Sequence, residues 1–361
     1  MKRFWPALVV LIVSGSYVAW RLASYDGNPV ALAEIGTRYA ELDPDGTEGY
    51  DGQFSTYIAL DPEPESVAAH LDVPAYRYQR ILYPLLARLL AFGQPDWIPW
   101  SLILVNLLAH SAATYAVADI LARRGLATGY ALIYGLWVGL VSSVGLNLNE
   151  PLAYGLVVLA FLFKERGRFV PLAIALSLAM FAKETSAVFW LAILISDLVG
   201  RKIDRGQAAL FGAGGLFVLW QVWLWRTFGT PGIGSGGEMA TPFEWIPFMG
   251  FLRIGGVSIK ALGLFALIFG PTIILPTVYA LIQGVARLRV APADSFAWSE
   301  FLNAAVIVLL PFSTFREPLG LVRIFTGVVL SLLLLNVSLN NRRTLNFALF
   351  WIAMLALLIN Q

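Results

Sequence analysis

The stretch FWPALVVLIVSGSYVAW, residues 4–20, holds no charged side chain and follows Met1-Lys2-Arg3. A helix rises 1.5 Å per residue, so an apolar run of this length approaches the roughly 30 Å hydrocarbon core of a bilayer. A basic start before an apolar run is also how a signal peptide opens. This run ends Tyr17-Val18-Ala19-Trp20-Arg21, without a small-x-small cleavage site, and is read as a retained first span. Comparable apolar blocks follow near 97–121, 128–146, 150–164, 169–182, 185–199, 207–226, 259–284, 300–314, 319–338 and 345–360. The expected fold class is an all-α polytopic membrane protein forming a single transmembrane domain over 1–361, with about eleven spans, nine to twelve allowing for boundaries.

Composition agrees. Apolar residues make up 58% of the 361 and charged residues 13%, against about half and about a quarter in a soluble protein. The absence of cysteine excludes disulfides, thiolate metal sites and Cys nucleophiles. The two histidines, His70 and His110, argue against a His-rich metal site or a Ser–His–Asp triad. His110 reads as a hydrogen-bonder between helices, and the Gly135–Gly139 pair as a close helix contact.

Basic residues then set the sidedness, because short cytoplasmic connections accumulate Lys and Arg. With the N-terminus cytoplasmic, Arg3, Arg123, Arg124, Lys164, Arg166, Arg201, Arg287 and Arg342 fall on the inner side. Asp119 and Asp197 lie beside Arg123 and Arg201 and read as structural. The expected location is a bacterial inner (cytoplasmic) membrane. Two outer segments are long: 21–96, with twelve acidic and five basic residues, and 227–258, rich in Gly and Pro. Loops of this size tend to be functional or disordered.

The first long loop carries helical patterning. Phe54, Tyr57 and Ile58 share a helical face, and Asp61-Pro62 stops it. From Ile81 to Gly93 the apolar set suits an amphipathic helix in the outer interface, with Arg80 and Arg88 on its polar side. A Pro84-kinked extra span is the alternative, and it would spoil the distribution of basic residues.

Chemistry concentrates in Glu48-Gly49-Tyr50-Asp51-Gly52-Gln53-Phe54. A carboxylate stands among aromatics, bracketed by glycines that permit close approach. Asp51 is either a reactive carboxylate or the N-cap of the helix that follows. Asp43, Asp45, Glu48 and Asp61 compete with it, though Asp43-Pro44-Asp45-Gly46 suits a turn. In Tyr76-Arg77-Tyr78-Gln79-Arg80, two guanidiniums either grip a lipid phosphate or anchor the chain at the interface. Glu150, Lys183, Glu184, Arg316, Glu317 and Arg323 all sit at span ends on the same outer side. No Walker or Rossmann phosphate loop is present, and Gly234–Gly237 suits a flexible outer loop.

These pieces together resemble the GT-C superfamily of membrane glycosyltransferases. The resemblance lies in the first span, the long outer loop with an early acidic residue, Arg80-Ile81-Leu82-Tyr83-Pro84-Leu85-Leu86, Ala118-Asp119-Ile120-Leu121-Ala122-Arg123-Arg124-Gly125, and Phe181-Ala182-Lys183-Glu184-Thr185. Tyr50-Asp51-Gly52-Gln53-Phe54 with Tyr78-Gln79-Arg80-Ile81-Leu82-Tyr83-Pro84 resembles a bacterial branch linked to cell-surface glycopolymers. The resemblance implies a polyprenyl-phosphate-linked sugar donor, an outer-face site and Asp51 as base in an inverting transfer. Arg77, Arg80, Lys183, Arg316 and Arg323 are the expected contacts to the donor phosphate. Tyr50, Gln53, Glu150, Glu184 and Glu317 are further site candidates.

Asp51 lacks the adjacent acidic partner many relatives carry, which leaves a divalent metal open. The absence of a large soluble C-terminal domain favours a glycan or lipid acceptor over a protein. The expected partners are thus a lipid-linked donor, that acceptor and membrane lipids, with no nucleic acid. A transporter or flippase, or a polymerase or ligase, of lipid-linked glycans is the alternative. Transporters tend to show repeats and midplane charges, whereas here the charges gather at one face. The reading of Asp51 as base requires it to share a cavity with Arg80, Lys183 and Arg316.

Overall fold

The computed structural model describes residues 3–201 and 205–359. Among these the chain is all helical, without strands. Five helices are long and apolar enough to cross a membrane: Trp5–Ser24, Pro95–Arg123, Arg205–Phe228, Ile259–Val290 and Pro318–Ser338. The pair Thr128–Gly135 and Val138–Gly145, bent by 56°, makes a sixth if counted as one broken span. The remaining apolar segments are helical but short. Phe169–Ala182 and Ser295–Val308 have 14 residues each, about 21 Å of helix.

The apolar pattern is inverted relative to a water-soluble bundle. Leu8, Ile12, Leu104, Leu108, Leu216 and Leu219 point outward, whereas Ser14, Asn106, His110, Thr114, Ser142 and Ser143 are fully buried. Apolar exposure on this scale is what a lipid environment covers, and the architecture is compatible with a helical membrane protein. Inside, polar side chains bridge helices. Ser14 Oγ lies 3.3 Å from His110 Nδ1, and Asn106 donates to the Tyr83 hydroxyl at 2.8 Å and the Leu148 carbonyl at 2.9 Å.

The two glycines singled out in the bent pair sit at close contacts. A methyl on Gly135 would meet Val10 and Thr114, and one on Gly139 would fall 2.3 Å from the Val322 carbonyl oxygen. That oxygen also accepts the Trp137 indole N–H at 3.0 Å. Gly139→Leu is therefore expected to push the bent pair off the Pro318–Ser338 helix and destabilise the fold by at least about 1–3 kcal/mol. Thermal unfolding of the solubilised protein reads this as a lowered midpoint; an unchanged midpoint would contradict the packing.

The first long loop is structured. It carries Gly52–Leu60, Pro74–Tyr78 and Leu82–Leu90. In Leu82–Leu90, Tyr83 and Ala87 face the bundle, while Leu85, Leu89 and Leu90 face outward. Arg88 is not simply solvated: its Nη1 donates to the Ala59 and Leu60 carbonyls at 3.0 and 2.6 Å, closing the C-terminus of Gly52–Leu60. The last apolar block differs from a regular span. It is α-helical over Arg342–Ala348 and 3-10 over Leu349–Leu358.

Candidate functional site

Helix ends deliver the charged side chains. Proline in the first turn fits a helix start, where its missing N–H is no loss, and Pro151 and Pro318 occupy such positions. Glu150 is thus the first residue of its helix, and Arg323 lies in the second turn of its own. Lys183 sits at an extended break, φ −159° and ψ 126°, between Phe169–Ala182 and the turn Glu184–Ser186. Arg316 ends the short helix Phe312–Arg316. Asp51 immediately precedes Gly52–Leu60.

Two glycines set the Asp51 position. Gly49 has φ +69°, which suits glycine. A methyl on Gly52 would come 2.1 Å from the Leu146 carbonyl oxygen, so the helix start presses against the loop before Glu150. The N-cap alternative does not hold: Asp51 makes no side-chain cap hydrogen bond. Its carboxylate instead joins two guanidiniums, Arg77 Nη1 on Oδ1 and Arg323 Nη2 on Oδ2, both at 2.8 Å.

From there an ion-pair network extends. Arg323 Nε and Lys183 Nζ both bind Glu150 Oε1, at 2.7 and 2.8 Å. Arg323 Nη1 donates to the Tyr50 hydroxyl at 2.9 Å, and Tyr50 donates to Glu317 Oε1 at 2.6 Å. Arg77 grips Asp72 through Nε and Nη2, at 2.7 and 2.8 Å. Arg80 grips Glu184 in the same two-pronged way, at 2.8 and 2.6 Å. Aromatic faces hold the guanidiniums in place: Arg77 lies 4.2 Å from the Phe54 ring centroid and Arg80 4.3 Å from that of Tyr76. Interfacial anchoring does not describe Arg77 and Arg80, which are buried and paired.

These groups line a cleft of ≈ 540 Å³. It brings together Tyr50, Asp51, Gln53, Arg77, Arg80, Glu150, Lys183, Glu184, Arg316, Glu317 and Arg323; of the carboxylates that competed with Asp51, Glu48 lines it and Asp43, Asp45 and Asp61 do not. Gln53 serves mainly to fasten the loop: its Oε1 accepts from Gly36 N–H at 3.1 Å and its Nε2 donates to the Glu48 carbonyl at 2.7 Å. Glu48 pairs with Arg38. Asp43 accepts from the Asp45 N–H at 3.1 Å, as turn chemistry would have it. Asp61 binds Ser66 at 2.6 Å. Asp119 is held by Arg3, Arg123 and Arg166.

Several contributors were not singled out in the sequence. Asp72 is the main partner of Arg77; it lies just before the helix Pro74–Tyr78, five residues from Arg77, and nothing in that spacing singled it out. The second long loop roofs the cleft with Gly237 to Ala240. Glu238 ties it down, accepting from Arg38 and from the Tyr39 hydroxyl, each at 2.9 Å. Nothing in a Gly-rich stretch signals that Glu238 docks on Arg38 and Tyr39 while Glu244 pairs within the loop with Arg253.

Burial alone would raise the Asp51 pKa, but the charges of Arg77, Arg323 and Arg80 outweigh it and hold the carboxyl well below its usual range. Tyr50 moves the other way: burial, with the neighbouring carboxylates, pushes its phenol well up, and Arg323 only partly offsets this. Four carboxylates (Asp51, Asp72, Glu150, Glu184) thus face four bases (Arg77, Arg80, Lys183, Arg323). Arg316 stands apart: it is exposed at the cleft, 5.7 Å from the Phe312 ring, with no ion pair or hydrogen bond to another described residue.

Among the described residues no group of three His, Asp or Glu side chains offers a ligand cage, and each of those four carboxylates already faces a cation. Buried ion pairs are weak evidence for stability, because desolvation offsets their attraction. A dense set of them around an open cleft is better evidence for a functional site.

No family model, no curated protein and no solved structure matches the chain.

Proposed function

We propose that the chain is an integral-membrane glycosyltransferase of the GT-C type. In this reading it moves a sugar from a polyprenyl-phosphate donor to a cell-envelope glycan or lipid acceptor at the outer face. The shorter apolar helices are then further spans, toward the eleven expected. The observation that carries the reading is the convergence of Asp51 with Arg77, Arg80, Lys183, Arg316 and Arg323 on one cleft.

The chemistry follows from the charges. The acceptor hydroxyl gives its proton to Asp51 while its oxygen attacks the anomeric carbon. The bond from that carbon to the phosphate oxygen breaks, its electron pair stays on the phosphate, and the configuration inverts. Preorganised guanidiniums stabilise the developing charge. In the ligand-free cleft Asp51 is too strongly paired to be a good base. The donor phosphate competes for the same guanidiniums, and drawing Arg77 and Arg323 toward it releases Asp51 and raises its proton affinity. Donor binding would thereby arm the base.

Arg316 is the cation free to meet the phosphate first. Arg316→Gln is expected to weaken polyprenyl-phosphate binding about tenfold, the scale of one hydrogen bond to a charged group, and to leave thermal unfolding unchanged because the side chain is exposed and unpaired. Titration of the solubilised protein with a short-chain polyprenyl phosphate checks this; undiminished binding would remove Arg316 from the site. The reading as a whole is tested by incubating the protein in vesicles with polyprenyl-phosphate sugars and following release of polyprenyl phosphate.

A further inference from the structure

The bundle carries a second cavity, ≈ 650 Å³, at the other end of the Pro318–Ser338 helix from Arg323. Leu332, the residue of that helix that lines the cavity, lies nine residues beyond Arg323, about 14 Å at 1.5 Å per residue. Its walls are apolar, including Pro271, Leu275, Phe347 and Phe350, the last three strongly exposed at 65%, 70% and 56%. One edge is polar, formed by Tyr279, Asn341, Arg343 and Thr344. The Tyr279 and Thr344 hydroxyls are paired at 2.8 Å, and Asn341 donates to Thr344 Oγ1 at 2.9 Å.

The groove is built by departures from regular helix. Gly270–Ile274 is π-helical, an uncommon form concentrated at functional sites. Opposite it, ten residues, Leu349–Leu358, run as 3-10 helix, far longer than the usual three or four. The Trp351 indole N–H bonds the Thr272 carbonyl at 2.8 Å and locks the two irregular segments together. Both irregular segments line the cavity, through Pro271 on one side and Phe350 and Trp351 on the other.

We propose that this groove holds one anionic glycerophospholipid, its acyl chain along Leu275 and Phe347 and its phosphate on Arg343. Arg343 makes no ion pair or hydrogen bond with another described residue, and its guanidinium presents a paired-donor geometry suited to phosphate. Charge selects the head group. Arg342, next to it, is likewise exposed and unpaired among the described residues, so this edge of the groove is positive and favours an anionic lipid. The site rests on the membrane reading and not on glycosyl transfer, so either can fail without the other.

Native mass spectrometry of the full chain, extracted from nanodiscs of phosphatidylcholine and phosphatidylglycerol in equal parts, tests it. The expected result is one retained phosphatidylglycerol per chain. Arg343→Gln lowers that occupancy about fivefold, the scale of one basic residue at an anionic surface. Leu275→Trp, which fills the groove, lowers it too, and Arg289→Gln, outside the groove, leaves it unchanged. Equal loss in Arg343→Gln and Arg289→Gln would reduce the effect to general charge and overturn the site. So would equal retention of both lipids, or a dimer that Leu275→Trp dissociates.

Discussion

Asp51→Asn is expected to reduce sugar transfer by at least 10²-fold, at the low end of what a positioned general base contributes, while polyprenyl-phosphate binding holds or tightens. Asparagine keeps the shape of the side chain but cannot take a proton. It also removes the competitor for the two guanidiniums: Arg77 retains Asp72 and Arg323 retains Glu150, so both stay positioned and have a donor free for phosphate. The combination is diagnostic. A merely structural Asp51 would lose binding and activity together. Full transfer in the variant would end the assignment of Asp51 as base, and lost binding with normal unfolding would make it a donor-site residue instead.

The second large effect is expected at Arg323. This one side chain joins Asp51, Glu150 and Tyr50, and Glu150 is fully buried with Oε2 lacking a partner. Arg323→Met removes one of the two cations on that carboxylate, and breaking a buried pair from one side costs about 3–5 kcal/mol. The variant is expected to unfold at a markedly lower temperature and to lose transfer. Adding Glu150→Gln is expected to lower stability further and to restore no activity, because it strands the buried Lys183 ammonium, whose ion-pair partner is Glu150. A single variant that unfolds like the parent would show that Lys183 alone suffices for Glu150.

Much of the site was legible because charge is rare in this chain and therefore informative. Glu150, Lys183 and Arg323 each interrupt an apolar stretch at the same end of the bundle, and sidedness alone grouped them. Partner choice was not legible. Asp51 could cap its helix or face a cation, and spacing does not separate the two. The contact of Gly52 with the Leu146 carbonyl and the arrival of Arg323 from a distant helix decide it. Arg77 and Arg80 read equally well as anchors until Asp72 and Glu184 were seen to bind them.

The amino-acid sequence by itself determined that this chain folds as apolar helices with its charge at their ends. In an apolar solvent a helix satisfies the backbone groups within one such run, whereas a closed barrel needs shorter segments of alternating polarity. Sequence length could not decide how many of those runs are long straight helices. Among the described residues five are long helices and a sixth run is the pair bent by 56°; the others are shorter or irregular, as in Leu349–Leu358, which Trp351 ties to Thr272. Only the tertiary structure decided that one cleft gathers these charges into alternating pairs with Arg316 left over. An ion pair depends on distance in space, and residues far apart in the chain carry no local signal of meeting.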